Sequence, residues 1–200
     1  MPHFLNAKAH YFLSLNFKVM YTTMKKQVDL KKVLWIRPLL SAYDKYFIVR
    51  NPYDRLESFY RDKLGKDVNP RKIWLSSQKI YFEPLGITDA TDEVKMQAIR
   101  DMNFEQFIRI LPLNYMKNRH LHPQYKIFTG LKPKRILKME NQDDMHFLSE
   151  KLQLDMEIRA NSTEKNEKHI RWEKDLADIV NRIYEKDFKL YAYPFKETFD

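Results

Sequence analysis

Uninterrupted apolar runs mark the predicted strands of this chain. The clearest run is 45–50 (KYFIVR), which holds four β-formers in succession, and 11–16 (YFLSLN) is a shorter run of the same kind. Apolarity that is continuous rather than alternating is typical of strands covered on both faces, as in a parallel sheet. A further strand is predicted at 134–139 (KRILKM), directly after Pro133.

Apolar residues at helical spacing fill the intervals between these runs. Asn51 is a favourable N-cap and Pro52 suits the first helical position, so a helix is expected to begin directly after the run 45–50. The stretch 65–92 mixes glycines, prolines and aromatics and is expected to be a long irregular excursion, of a kind that often faces substrate. The other predicted helices cover 22–32, 93–110 (ending before Pro112), 142–152 and 165–188.

Strands that alternate with helices predict an α/β protein with three layers, in which a central, mostly parallel sheet is flanked by helices. No internal repeat, low-complexity tract or linker divides the chain, so a single domain over residues 1–200 is expected. Ligands of such folds bind at the carboxyl ends of the strands. The residues that follow 11–16 and 45–50 are therefore the first places to look for chemistry.

Composition narrows the partners and the kinds of site. The 200 residues hold 36 Lys and Arg against 27 Asp and Glu, a formal net charge of +9 that favours an anionic partner. The absence of cysteine excludes disulfide scaffolds, thiolate zinc sites and cysteine nucleophiles. All three glycines lie beyond residue 64, which excludes an N-terminal Walker A loop or dinucleotide fingerprint. With no apolar run long enough to span a bilayer and no recognisable export signal, a cytoplasmic location is expected.

The first candidate site follows the run 11–16. Lys18 precedes the paired hydroxyls of Thr22 and Thr23, which lie at the predicted start of a helix. The N–H groups of a helix start, hydroxyls and an ammonium together form a site for phosphate. The alternative is an ordinary surface lysine followed by a threonine N-cap, and the spacing alone does not separate the two.

The second candidate site begins at Arg50, at the carboxyl end of the run 45–50. Ser58 lies eight residues further on, about two turns into the predicted helix. A guanidinium at a strand end with a hydroxyl nearby binds a phosphate monoester in a fork geometry that lysine cannot match. The alternative is a basic amphipathic helix whose arginines pair with Asp54 and Glu57.

This second segment closely resembles the 3′-phosphate-binding motif of PAPS-dependent sulfotransferases, in the branch that modifies carbohydrates. That motif runs strand-Arg-(Asp/Asn)-Pro-aromatic-x-Arg-Leu-x-Ser-x-Tyr-Arg-x-Lys. The resemblance implies a P-loop-like fold, PAPS as the sulfonate donor, and a 3′-phosphate held by Arg50 and Ser58, with Arg55 in a structural role. The matching positions are Arg50, Asn51, Pro52, Tyr53, Arg55, Leu56, Ser58, Tyr60, Arg61 and Lys63.

The family also places Pro-Lys-x-x-x-(Ser/Thr)-(Ser/Thr) at the end of its first strand. Residues 17–23 are similar to this loop, with Phe17 in place of the proline and no glycine. The resemblance therefore implies that Lys18, Thr22 and Thr23 hold the 5′-phosphosulfate. It also implies that Lys18 is catalytic, because a cation there stabilises charge on the leaving oxygen.

Similarity of lower specificity extends over nearly the whole chain. The segment 120–124 (HLHPQ) resembles the His-x-x-Pro-Gln of these enzymes, and 136–141 (ILKMEN) resembles their late strand with its glutamate. Residues 161–163 (NST) resemble part of their C-terminal pattern and are also a glycosylation acceptor sequence. His120 is the first candidate for the general base, as a loop histidine at a family position. The alternatives for that role are His122, Glu57 and Glu83.

The sequence thus predicts transfer of the PAPS sulfonate to an acceptor hydroxyl, of a carbohydrate by resemblance, through in-line displacement without a metal. Acceptor specificity is expected to reside in 65–92 and 112–130. The alternatives are a basic nucleic-acid-binding protein, against which the interspersed acids weigh, and a sulfotransferase homologue that binds nucleotide without catalysis. One basic face is expected to be solvated or to attract an acidic glycan, and it comprises Lys25, Lys26, Lys31 and Lys32.

Overall fold

The computed structural model describes residues 2–66, 68, 75–127, 130–155, 170–197 and 199. The strands in this part of the chain are β1 (His3–Asn6), β2 (Tyr11–Leu15), β3 (Lys31–Val33), β4 (Asp44–Val49) and β5 (Arg135–Lys138). The α-helices are α1 (Tyr21–Lys26), α2 (Ile36–Leu40), α3 (Pro52–Lys63), α4 (Leu75–Gln78), α5 (Asp92–Asp101), α6 (Phe104–Asn114), α7 (Gln142–His146) and α8 (Lys174–Leu190). Shorter helical turns are the 3-10 helices Lys79–Tyr81 and Gln124–Ile127 and the π-helix Phe147–Lys151.

The chain forms two compact units, each built from two stretches of sequence. The first unit comprises Met1–Asn51 and Gln124–Lys168, and the second comprises Pro52–Pro123 and His169–Asp200. The first unit holds the five strands, and the second holds α3 to α6 and α8. The single domain expected from the sequence stays a prediction.

The five strands form one mixed sheet in the order β3-β1-β2-β4-β5. β1 pairs antiparallel with β2 and β3, whereas β2 with β4 and β4 with β5 are parallel pairs. Ile48 of β4 lies opposite Leu15 of β2 and Leu137 of β5, so the three parallel strands end at the same edge. The predicted α/β fold with a parallel centre is therefore confirmed. The short strands β1 and β3 add an antiparallel side that the apolar pattern does not indicate.

The core of the first unit explains the two continuous apolar runs. Every residue of β2 is buried, as are residues 46–49 of β4. One polar pair lies among them, since His3 Nδ1 is 2.7 Å from the hydroxyl oxygen of Ser14 on the neighbouring strand. Burial lowers the pKa of His3 to about 4, so this ring is neutral at pH 7.

The second unit is built around an aromatic core to which α3, α6 and α8 contribute. The Phe59 ring of α3 stacks on the Phe107 ring of α6 at 5.6 Å, and Trp172, just before α8, meets Phe104 edge-on at 4.9 Å. Trp172 is therefore a core residue. Gly65 follows α3 with φ +82°, and a Cβ there would lie 2.7 Å from the Tyr60 hydroxyl oxygen, so the chain turns at that point only with glycine.

The structure corrects the extent of two predicted helices. The helix predicted at 22–32 ends at Lys26, because residues 31–33 pair with β1 as a strand instead. The helix predicted at 93–110 is two helices, since Asn103 caps α6 through a reciprocal pair of hydrogen bonds with Gln106. α6 continues past Pro112. The proline lies in the last helical turn and removes one hydrogen bond of the helix there.

The other helix predictions differ at their ends. The helix predicted at 142–152 is α7 followed by the π-helix, and the one predicted at 165–188 begins only at Lys174 in the described residues. The excursion at 65–92 contains α4 and a 3-10 turn. No helix in the described ranges has both the length and the apolarity needed to cross a bilayer.

Candidate functional site

The site residues predicted from the sequence divide between the two units. Lys18, Thr22, Thr23 and Arg50 belong to the first unit, whereas Ser58 and His120 belong to the second. Of these, the structure brings together the segments of Lys18 and Arg50, which follow the neighbouring parallel strands β2 and β4.

Arg50 joins the two predicted phosphate-binding segments of the first unit. Its Nη1 donates a hydrogen bond to the backbone carbonyl of Lys18 at 3.2 Å. A guanidinium has five N–H donors in a planar fork, so one side chain can hold a backbone oxygen and still carry its charge at the strand end. The Arg50 side chain at the end of β4 thus reaches the backbone of the segment that follows β2.

Two side chains from later in the sequence fix the backbone at Arg50. The side-chain amide of Gln124 accepts from the Arg50 N–H at 3.0 Å and donates to the Arg50 carbonyl at 2.7 Å, as a neighbouring strand would. A carboxylate oxygen of Glu140 accepts from the Asn51 N–H at 2.7 Å. Gln124 is fully buried, which makes both of its bonds costly to lose.

The sequence interpretation assigned no role to Gln124 or Glu140. Both lie in segments that resemble the family, HLHPQ and ILKMEN, which do not indicate their partners. An amide directly after Pro123 gives no indication of which backbone it meets, because that partner lies 74 residues away in the chain.

The loop between β2 and α1 adopts left-handed backbone without any glycine. Lys18 has φ 65° and Met20 has φ 51°, a region that costs a non-glycine residue roughly 1–2 kcal/mol. Val19 between them is fully buried and anchors the loop in the core. Residues of opposite backbone handedness in succession, here Met20 and the helical Tyr21, turn their N–H groups toward a common point and form a concave site for anions.

The first turn of α1 adds further donors. The N–H groups of Tyr21, Thr22 and Thr23 have no acceptor within the helix, because the first intrahelical bond runs from the Met24 N–H to the Met20 carbonyl at 2.9 Å. Thr22 is half-buried and Thr23 is buried. The first turn of α1 contains no acidic residue. The donors of the loop and helix start therefore suit a phosphate group, and no carboxylate in that first turn repels it.

In the second unit, α3 carries the rest of the arginine motif. Ser58 is half-buried, but the Arg55 side chain three residues earlier is only 1% exposed. The carboxylate of Glu57 accepts from the Trp172 indole N–H at 2.7 Å and lies 3.7 Å from Arg61. These contacts give Glu57 a structural role and weaken it as a candidate base.

Arg55 and Tyr184 hold three successive carbonyls of the loop after α6. Arg55 Nη1 donates to the carbonyls of His122 at 2.9 Å and His120 at 3.4 Å, and the Tyr184 hydroxyl donates to the carbonyl of Leu121 at 2.6 Å. The Arg55 guanidinium also lies over the Tyr184 ring, 5.2 Å from its centre. Burial raises the pKa of Tyr184, so its hydroxyl keeps the proton it donates.

This clamped loop carries the two candidate histidines. The half-buried His120 ring lies 5.9 Å from the Phe59 ring, measured between centres. His122 Nε2 is 3.0 Å from the Met116 carbonyl oxygen, so that nitrogen carries a proton and donates. Both histidines thus stay candidates for the general base, with His120 first by its family position.

An open cavity of about 750 Å³ lies within the second unit, in the stretch predicted to face an acceptor. Hydroxyls, cations and carboxylates line it beside the apolar residues Leu75 and Phe82. The Lys95 ammonium lies over the Phe82 ring at 5.4 Å. Its polar lining residues are Ser76, Lys79, Glu83, Thr88, Asp92 and Lys95.

One segment interpreted from the sequence is not part of the described structure. The segment 161–163 lies outside the described residues. Within the described ranges, no three His, Asp or Glu side chains cluster closely enough to hold a metal ion.

Comparison with known proteins identifies the class to which this fold and this pair of strand-end cations belong. Residues 5–194 match the model of the sulfotransferase family. The chain therefore belongs to the sulfotransferase family, as the motif at Arg50 predicted, and its class is that of enzymes that transfer sulfonate groups. No solved structure gives a significant match.

Proposed function

We propose that this protein transfers the sulfonate group of PAPS to a hydroxyl of a carbohydrate acceptor. The observation that supports this most directly is the hydrogen bond from Arg50 to the Lys18 carbonyl at 3.2 Å. It ties together two segments whose residue types each suit a phosphate, at the carboxyl ends of adjacent parallel strands, where α/β folds bind ligands.

The 5′-phosphosulfate side of the donor is assigned to the loop between β2 and α1. Lys18 supplies the charge, Thr22 and Thr23 supply hydroxyls, and the first N–H groups of α1 supply oriented donors. The left-handed backbone at Lys18 and Met20 performs the task that glycines perform in many phosphate loops. The lack of glycine is thus compatible with a phosphate-binding function.

The 3′-phosphate side is assigned to Arg50 and Ser58. Gln124 and Glu140 hold the backbone at Arg50 and Asn51, so the arginine starts from a fixed Cα position and less entropy is lost when its fork meets a phosphate. Ser58 is half-buried on α3 and supplies a hydroxyl donor.

PAPS supplies the sulfonate and a phosphate leaving group. As the acceptor oxygen bonds to sulfur and the bond between sulfur and the 5′-phosphate oxygen breaks, negative charge grows on that oxygen, and we assign its stabilisation to the Lys18 ammonium. His120 takes the proton of the acceptor hydroxyl, on a loop held in shape by Arg55 and Tyr184.

The carbohydrate acceptor is assigned on family resemblance, and the cavity of the second unit supports it. Its hydroxyls and charged groups beside an aromatic ring match what a polar, hydroxyl-rich ligand needs.

The test of the donor site is binding of adenosine 3′,5′-bisphosphate, measured by calorimetry. The wild type is expected to bind, and Arg50→Ala is expected to lose about 10- to 100-fold in affinity, since a hydrogen bond to a charged group is worth about 1.5–3 kcal/mol. Arg100→Ala, which removes one exposed helical cation, is the matched control and should bind as the wild type does. Absence of binding by the wild type would refute the donor assignment and favour a nucleic-acid-binding protein.

The test of catalysis is sulfate transfer to a panel of glycans with labelled PAPS. Lys18→Ala is expected to reduce kcat much more than bisphosphate affinity, because the charge it offsets grows during transfer. His120→Gln is expected to reduce kcat and to remove the acidic limb of the pH profile. A wild type that binds the bisphosphate but transfers nothing to any acceptor would indicate a homologue that only binds nucleotide.

A further inference from the structure

Exposed apolar side chains concentrate in one short stretch of the first unit. Of the twelve large apolar side chains exposed in the described residues, six lie between residues 28 and 40. The most exposed are Val28 (95%), Leu40 (81%) and Leu34 (73%), and Trp35 is 63% exposed. Ile36 and Leu39 complete the set, which is called the 28–40 surface below.

The fold presents this surface outward at the side of the sheet. β3 is the edge strand and pairs only with β1 among the described strands, and α2 follows it after a short connection. Pro38 is the buried residue of α2, and the apolar residues around it are exposed. An apolar set of this density on a protein surface normally marks a place of interaction.

The wider stretch 25–40, which includes the 28–40 surface, carries nearly half of the net charge of the protein. Residues 25–40 contain five cations, all exposed, and a single acid, Asp29. The Asp29 carboxylate is 3.0 Å from the Lys8 ammonium, so it offsets a charge outside the stretch. The net contribution is +4 of the total of +9, and the cations are Lys25, Lys26, Lys31, Lys32 and Arg37.

Apolar anchors and cations together select the partner. A nucleic acid or an acidic glycan would meet the cations but leave the leucines in water, and a second copy would bring one stretch of charge +4 against another. A bilayer that contains anionic lipid satisfies both, because lysines meet the headgroups while Leu and Trp side chains enter the boundary with the acyl chains. We propose that the 28–40 surface docks this enzyme on an anionic membrane surface, without crossing it.

The inference does not depend on the donor or the acceptor and is tested by sedimentation with vesicles. The full chain is expected to bind phosphatidylcholine vesicles that contain phosphatidylglycerol, to bind poorly without it, and to dissociate as salt rises. Trp35 fluorescence should shift to the blue on binding. Because the chain contains three tryptophans, Trp35→Phe checks the assignment and should remove that shift.

Paired variants separate the apolar contribution from the charges. Trp35→Ser with Leu40→Ser is expected to lower partitioning about 100-fold, because each buried apolar side chain is worth about tenfold or more. Lys31→Ser with Lys32→Ser is expected to lower it about tenfold at low salt and little at high salt. The matched controls are Leu113→Ser with Leu190→Ser, both 60% exposed in the second unit, and Arg100→Ser with Lys117→Ser. They should partition as the wild type does.

Three outcomes would overturn the inference. Equal binding to both kinds of vesicle, or to neither, removes the anionic membrane as the partner. Binding of heparin or RNA that displaces the vesicles and is insensitive to Trp35→Ser with Leu40→Ser indicates a polyanion site. A dimer in solution that the same double variant dissociates indicates a second copy as the occupant.

Discussion

Arg50 and Arg55 are five residues apart in one motif, yet the structure gives them opposite surroundings. Arg50 is half-buried at the end of a parallel strand, where it donates to the Lys18 carbonyl and follows a backbone held by Gln124. Arg55 is 1% exposed inside the second unit, where it donates to the carbonyls of His120 and His122.

The difference matches the two roles proposed for one residue type, recognition at Arg50 and architecture at Arg55. A guanidinium at a strand end keeps its charge available to an anionic ligand, whereas a guanidinium in a core organises backbone carbonyls. Arg55 does so at a cost, since its Nε and Nη2 find no hydrogen-bond partner among the described residues. Substitution should therefore separate the two arginines, with a loss of binding at Arg50 and a loss of stability at Arg55.

The largest expected effect is that of Arg55→Ala on folding. The change leaves a cavity in the core and removes the donor to two carbonyls, so the free energy of unfolding should fall by about 3–5 kcal/mol in urea titrations. The fraction that remains folded should bind adenosine 3′,5′-bisphosphate as the wild type does. Arg100→Ala should change stability by less than about 0.5 kcal/mol. Wild-type stability with lost binding would reverse the roles of the two arginines.

Gln124→Leu should affect both stability and binding. Loss of its two bonds to the Arg50 backbone should lower the free energy of unfolding by about 2–3 kcal/mol and weaken bisphosphate binding. Gln27→Leu is the matched control, because Gln27 makes the same two-way bond with the backbone of Asp155, at 2.7 and 2.9 Å. It should cost similar stability without the loss of affinity. Equal affinity losses in both variants would show that Gln124 acts only through general stability.

Tyr184→Phe tests the clamp on the histidine loop more gently. It deletes the hydroxyl that donates to the Leu121 carbonyl but keeps the ring beneath Arg55. We expect a loss of about 1–2 kcal/mol in the free energy of unfolding. The nucleotide affinity should not change, whereas kcat should fall if the loop positions His120. An unchanged kcat would limit the clamp to a stabilising role.

The smallest effect is expected at Met20, in the loop whose Lys18 carbonyl meets Arg50. Met20→Gly removes the strain of the left-handed backbone but raises the entropy of the unfolded chain. The midpoint temperature of thermal unfolding should therefore change little. Met20→Val, with a β-branched side chain, should lower stability by about 1 kcal/mol relative to Met20→Gly. His10→Gly is a control at another left-handed residue, φ 54°, remote from the motif in sequence. Equal stability of Met20→Val and Met20→Gly would contradict the strain assigned to this loop.

The sequence predicts those parts of the molecule that depend on local order. The strand 45–50, the helix start at Pro52 and the family of the chain all follow from adjacent residues, and each is confirmed. What depends on partners far along the chain could not be predicted. β3 forms because it pairs with β1, and Gln124 matters because it meets Arg50. The roles of Lys18, Thr22, Thr23, Arg50, Ser58 and His120 stay predictions.

The hydrogen bonds that fix the end of β4 also affect the order in which the protein folds during its synthesis. Gln124 and Glu140 reach Arg50 and Asn51 across 74 and 89 residues of sequence. Closing loops of that length is slow compared with forming a local helix or hairpin. A nascent chain that has emerged only as far as α6 therefore carries the whole arginine motif without the side chains that hold it in place. Ribosome-bound intermediates should gain affinity for the nucleotide only after residue 140 has emerged.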